Sequence, residues 1–287
     1  MSLVVAHCSK RTLKIVSDTR LSDPISRLPC SHFDGALKIL LLSSELGFAF
    51  AGDPAPALEV LSESQDATAH RADLQSLTAL LLEKTRQSRG ASDFLAFSTA
   101  PSPRLRKISA GGVSEEQADY WIGDQEAFNC YQEYFHSAMA AYPERLQHNP
   151  DYLQNQMDVA MKEVIESSRV QSVGDFLVPA SSEKDGLRYV SYARITVFPT
   201  AERSPDGWFK MKAGGPAEGG YTISMLTPYD RGIPAVAFHF LEGRFGVLFC
   251  PGKLQRPAII KEVDTDSFSR QVSQVYGIRL QGQIHLK

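Results

Sequence analysis

No apolar run in this 287-residue chain reaches the ~18 residues that a membrane-spanning helix needs. The first residues also lack the basic region and apolar core of a signal peptide. Cysteine is scarce: Cys8, Cys30, Cys130 and Cys250 lie far apart, with neither Cys-x-x-Cys nor zinc-type Cys/His spacing. Free thiols in a reducing cytoplasm are the expectation. The seven histidines form no His-Glu-x-x-His pattern. No metal and no cofactor is therefore expected. Charge of one sign is lacking too. The formal net charge is −3, which gives no basic footprint for nucleic acid and no strong attraction to a membrane. The short Arg104-Leu105-Arg106-Lys107 run reads as a solvated strand. Gly-x-Gly-x-x-Gly and the Gly-x-x-x-x-Gly-Lys-Ser/Thr phosphate loop are missing, as is the Gly-x-Ser-x-Gly of α/β-hydrolases.

What is present is core-forming material. Hydrophobic residues make up 43% of the chain, enough for a substantial interior. Apolar, β-branched runs at 2–6 and 12–17 predict two strands joined by a polar turn. Pro24, Pro29, Asp34 and Gly35 mark a loop. The run at 36–42 is apolar except for Lys38. The bare pattern favours a lysine snorkelling from a strand edge; the alternative is a buried lysine placed for electrostatics. Residues 46–51 predict a buried strand that stops at Gly52-Asp53-Pro54, with Pro54 suited to a first helical turn.

Helices are predicted at 55–61, 73–86, 125–141, 151–168 and 266–275, with strands at 94–98, 104–109, 120–122, 176–178 and 187–197. Helix pairs set between blocks of strands point to two sheets packed face to face with helices outside, an α+β layout. Residues 199–219 read as a linker, and 220–287 as a β-rich C-terminal extension with strands at 221–226, 235–241 and 245–249.

The opening twenty residues end on Asp18-Thr19-Arg20, a charged tripeptide that the apolar pattern does not require. Met1 is followed by Ser2, a small nucleophilic residue. Ser2 to Asp18 spans 18 − 2 = 16 positions, and Lys38 to Gly52 spans 52 − 38 = 14. With Phe50-Ala51-Gly52 and the strand–helix order, residues 2–198 resemble the proteasome β-subunit family of N-terminal nucleophile hydrolases, bacterial homologues included. The resemblance implies a four-layer α-β-β-α sandwich. It also implies an acyl-enzyme hydrolysis of peptide or amide bonds once Met1 is removed. By resemblance, Ser2 is the nucleophile, Asp18 anchors Lys38, and the Gly52 N–H faces the oxyanion. The α-amine of a processed Ser2 would act as base, with an unperturbed pKa of ~7.7–8.0.

The chain departs from the family pattern at three places. Serine replaces threonine at position 2. Gly123-Asp124-Gln125 stands where the family has Gly-Ser-Gly, and Arg169-Val170-Gln171-Ser172-Val173-Gly174 where it has Asp-x-x-Ser-Gly. Asp124, Ser172 and Arg20 are the supporting candidates. Phe50 lines a side-chain pocket by resemblance and the core by base expectation. Two other readings stay open: a catalytically inactive assembly or binding module, and a small-molecule amidase of the same superfamily. The expected partners are a peptide or amide substrate and further copies of the chain, in a homo-oligomer and by resemblance a ring. Nothing identifies an unfoldase partner, and neither nucleic acid nor membrane is expected. The expected location is the cytoplasm.

Overall fold

The structure is a computed structural model that describes residues 2–21, 35–66, 73–114, 117–140, 150–167, 169–196, 201–203, 209–211 and 221–282. The fold is α+β, with antiparallel sheets throughout and five helices among the described residues. Two compact units divide it. The first takes residues 1–190, 231–234 and 250–256; the second takes 191–230, 235–249 and 257–287.

The first unit holds two five-stranded sheets. One is built from β1 (Leu3–Cys8), β2 (Leu13–Ser17), β8 (Asp119–Gly123), β9 (Val178–Glu183) and β10 (Gly186–Tyr189), in the order β10-β9-β2-β1-β8. The other runs β3 (Ile39–Leu41), β4 (Leu46–Gly52), β5 (Ser92–Ser98), β6 (Arg104–Ser109) and β7 (Gly112–Val113), neighbour to neighbour. The near-continuous apolar character of β1 and β4 has a direct cause: Leu3 to Ala6 and Leu46 to Ala51 are buried on both strand faces. Strands β1 and β8 approach β4, and β8 also approaches β5.

Helices α1 (Pro54–Asp66) and α2 (Leu74–Gln87) pair, and α2 packs on β5 and β6. Asp73 starts α2 by accepting from Ser76 N at 2.7 Å, a cap worth about 1 kcal/mol. Leu74, Leu77 and Leu81 then point into the core. Helix α3 (Gln125–Ala140) lies along α4 (Pro150–Glu166), and α4, which packs on β2, buries Met157, Ala160, Met161 and Val164.

The second unit is a β-sheet of β11 (Tyr192–Thr196), β14 (Tyr221–Pro228), β15 (Val236–Phe240), β16 (Phe245–Phe249) and β17 (Ala258–Lys261), with β18 (Leu280–Gln281) paired to β14. Helix α5 (Thr265–Tyr276) is capped by Asp264 and stopped by Gly277 at φ 67°, and it buries Phe268 and Val272. Within the stretch of linker-like composition, β12 (Ala201–Arg203) and β13 (Phe209–Met211) pair as a two-stranded ribbon.

Most elements fall near their predicted bounds. One run is split: 187–197, predicted as one strand, forms β10 and β11 in two different sheets. Val190 N donates to Pro179 O at 2.9 Å and closes the first sheet there. The predicted strand 176–178 begins only at Val178, because Phe176 N donates to Thr19 Oγ1 at 3.2 Å and not to a neighbouring strand.

Candidate active site

The N-terminal strand is internal to its sheet. Val4 pairs with Ser17 of β2 on one side and with Ile122 of β8 on the other. Ser2 sits at the open end of that strand and is 1% exposed. Its carbonyl accepts from Asp124 N at 2.8 Å. The neighbouring Gly123 is a geometric requirement. At φ 111° a side chain would be strained, and an added Cβ would lie 1.9 Å from Ser2 O and 3.3 Å from Ala51 Cβ. Ala51, the residue before Gly52, therefore borders the Ser2 backbone.

Asp18 and Lys38 form a fully buried ion pair, Nζ to Oδ1 at 2.6 Å with both side chains at 0% exposure. The edge position favoured for Lys38 by its sequence pattern is therefore incorrect. Inside a protein an ammonium needs a counter-charge and further acceptors. Lys38 finds Asp18 and also donates to Arg20 O at 2.7 Å. Burial drives the Lys38 pKa below the ordinary lysine value, against the opposing pull of Asp18. Asp18 is itself fixed by three backbone donors. Leu3 N reaches Oδ1 at 3.1 Å; Arg20 N and Gly174 N reach Oδ2 at 3.1 and 3.2 Å. The lysine's counter-ion is thus tied directly to the first strand.

Arg20 connects this pair to a second segment. Its Nε and Nη2 donate to Asp175 Oδ1 at 3.2 and 3.1 Å, and Nη1 donates to Gln171 O at 3.2 Å. The guanidinium lies where a Gly174 Cβ would be, at 2.3 Å. Only glycine allows that approach. Asp175 adopts φ 66°, the left-handed region. In the same turn, Ser172 Oγ donates to Asp124 Oδ2 at 2.7 Å. Asp124 Oδ1 accepts from Glu126 N and Ala127 N and so caps α3. Ser172 and Asp124 are both buried.

Ser2, Asp124 and Ser172 thus form one chain of hydrogen bonds, and Asp18, Lys38 and Arg20 another. The turn at 171–175 joins the two. Gly52 ends β4 at φ 109°, with an added Cβ 2.2 Å from Ala91 O, so close backbone approach explains its identity. Phe50 is 1% exposed and belongs to the core. Met1 and Cys30 lie outside the described residues, and the described cysteines are unbridged.

Asp175 was not a sequence candidate. It supplies a carboxylate to Arg20, and its position directly after Gly174 was the available signal. Among the described residues no group of three or more His, Cys, Asp or Glu side chains is arranged to hold a metal ion, and no helix is long and apolar enough to cross a membrane. No model of a known protein family matches the chain, and no curated protein matches it.

Proposed function

We propose that the protein is an N-terminal serine hydrolase of the proteasome β-subunit type, acting on peptide or amide bonds. The observation that carries the proposal is the buried Asp18–Lys38 pair, bonded through Leu3 N to the strand that begins next to Ser2. The packing of α2 on one sheet and α4 on the other, with β1 and β8 against β4, supports an α-β-β-α sandwich of the N-terminal nucleophile type.

The chemistry runs as follows. Removal of Met1 gives Ser2 a free α-amine. The amine takes the hydroxyl proton as Oγ attacks the substrate carbonyl carbon. The Gly52 N–H stabilises the tetrahedral oxyanion, a contribution worth ~10²–10³ in kcat for a donor of this kind. The amine then protonates the leaving nitrogen, the C–N bond breaks, and an ester to Ser2 remains. Water hydrolyses that ester with the amine again as base. Lys38, held charged by Asp18, favours the developing alkoxide. Asp124 and Ser172 orient the terminus. Assembly into a homo-oligomer belongs to the same proposal.

The burial of Ser2 favours a second reading, a non-catalytic module of the same fold, if the terminus is never processed. Intact-mass analysis of protein from its native host separates the two. The hydrolase reading expects loss of Met1 and one covalent adduct with a serine-reactive electrophile, absent in Ser2→Ala. Retained Met1, or an adduct that persists in Ser2→Ala, refutes it.

A further inference from the structure

Between α3, α4 and the outer side of β1 and β8, the first unit has a half-open pocket of about 630 Å³. That lies within the ~300–1,000 Å³ of small-molecule sites. None of Ser2, Asp18 or Lys38 lines it, so it is separate from the proposed catalytic machinery. Both strands line it: Val5 and His7 from β1, and Asp119, Tyr120 and Trp121 from β8. Phe128, Tyr131 and Phe135 descend from one face of α3 at helical spacing.

Two features give the pocket a chemical preference. The first is the row of rings. Trp121 and Phe128 lie 4.4 Å apart with planes 11° off parallel. Phe128 and Tyr131 are 6.3 Å apart at 12°, and Tyr131 and Phe135 are 5.8 Å apart at 14°. Near-parallel rings favour a flat partner that extends the stack. Trp121 and Phe135 remain only half-buried, so part of each ring is open to a ligand.

The second feature is charge. His7 Nδ1 and Asp119 Oδ1 meet at 2.7 Å, directly opposite each other in the β1–β8 ladder. Asp119 is 75% exposed at its side chain and, among the described residues of the lining, carries the only carboxylate, with no lysine or arginine beside it. An anion would find a carboxylate and aromatic faces, both repulsive to it. A cation would find attraction from both. Lys107 already stands over the Trp121 ring at 5.1 Å, so the remaining rings, Phe128 to Phe135, are the platform for a ligand whose charge points to Asp119.

We infer that this pocket binds a small, flat aromatic cation, stacked on the α3 rings and paired with Asp119. The test is a fluorescence titration of the full chain with 9-aminoacridine, a flat aromatic cation, against 2-naphthalenesulfonate, a flat aromatic anion. The expected result is saturable binding of the cation at one site, weakened about tenfold by Asp119→Asn and by Phe135→Ala. The anion should bind at least about tenfold more weakly than the cation. Asp119→Asn alters an exposed side chain and should leave the circular dichroism melt unchanged, which keeps its result interpretable if Phe135→Ala unfolds. Replacing Tyr229, an exposed ring outside the pocket, with Ser should leave binding intact. Absent saturation, equal binding of the anion, or cation binding indifferent to Asp119→Asn each overturns the inference.

Discussion

Replacing Asp18 with Asn tests how the Asp18–Lys38 pair is held. Asp18 accepts four hydrogen bonds, from Leu3 N and Lys38 Nζ on Oδ1 and from Arg20 N and Gly174 N on Oδ2. An asparagine keeps one acceptor oxygen. Whichever way its amide turns, an NH₂ group faces two donors. Lys38 meanwhile loses its counter-charge at 0% exposure. Removing one partner of a buried pair costs ~3–5 kcal/mol, and the charge-assisted bond alone accounts for ~1.5–3 of that. A loss of about 4 kcal/mol is expected. Lys38→Met should cost less, because Asp18 retains its three backbone donors and loses only one charge-assisted bond, about 1.5–3 kcal/mol. The double variant should fall short of the sum by at least about 1.5 kcal/mol, since the orphaned ammonium is gone. Urea unfolding at neutral pH measures all three, with equal m-values required for comparison. If Asp18→Asn costs under about 1 kcal/mol, or the two changes are additive, the pair is not the linchpin that its geometry indicates.

Two other outcomes follow from the same unit. The Asp158 carboxyl is pushed up to about 7, chiefly by burial, with Gln154 and Lys14 opposing. A raised acid binds its proton more tightly in the folded chain, so its contribution to stability falls as pH rises from roughly 4 through 7. A rise from 3.8 to about 7 corresponds to a ceiling of ~4 kcal/mol, which partial exposure reduces to about 2. Asp158→Asn should therefore stabilise the protein by about 2 kcal/mol well above neutrality and by little near pH 4, read from melting temperatures across pH. A pH-independent difference would refute the assignment. Ser172→Ala strips Asp124 Oδ2 of its 2.7 Å donor and should cost ~1–3 kcal/mol. On the hydrolase reading it should also lower kcat more than it raises KM, because it disturbs the terminus and leaves substrate contacts intact.

Much of the fold was legible because burial imposes periodicity. The leucines at 74, 77 and 81 marked α2, and the apolar runs of β1 and β4 marked doubly buried strands. The break at Val190 was not legible: no glycine or proline interrupts 187–197, and the first sheet ends there on a bond from Val190 N to Pro179 O in the neighbouring strand. The site divides the same way. Asp18, Lys38 and Gly52 stood out through their spacing, yet the depth of Lys38 depends on a partner twenty positions away. Asp175 was marked only by the Gly174 before it, because its partner Arg20 lies 155 positions away; Asp158 was invisible because its burial is set by tertiary packing and not by its own helix. The rings at 128, 131 and 135 were readable as a helix face, but the cavity beneath them was not.

The central place of β1 in its sheet has a consequence in time. Its partner β2 follows almost at once, but β8 does not emerge until some 120 residues later (123 − 3). At ~5–20 residues per second, synthesis leaves one side of the first strand unpaired for roughly ten seconds. Once β8 docks, Asp124 N closes on Ser2 O and Ser2 is covered. On the hydrolase reading, the cut between Met1 and Ser2 thus belongs to the nascent chain. On that same reading, delayed trimming would meet a strand already locked on both sides, and the order in which strands leave the ribosome would decide whether the site matures.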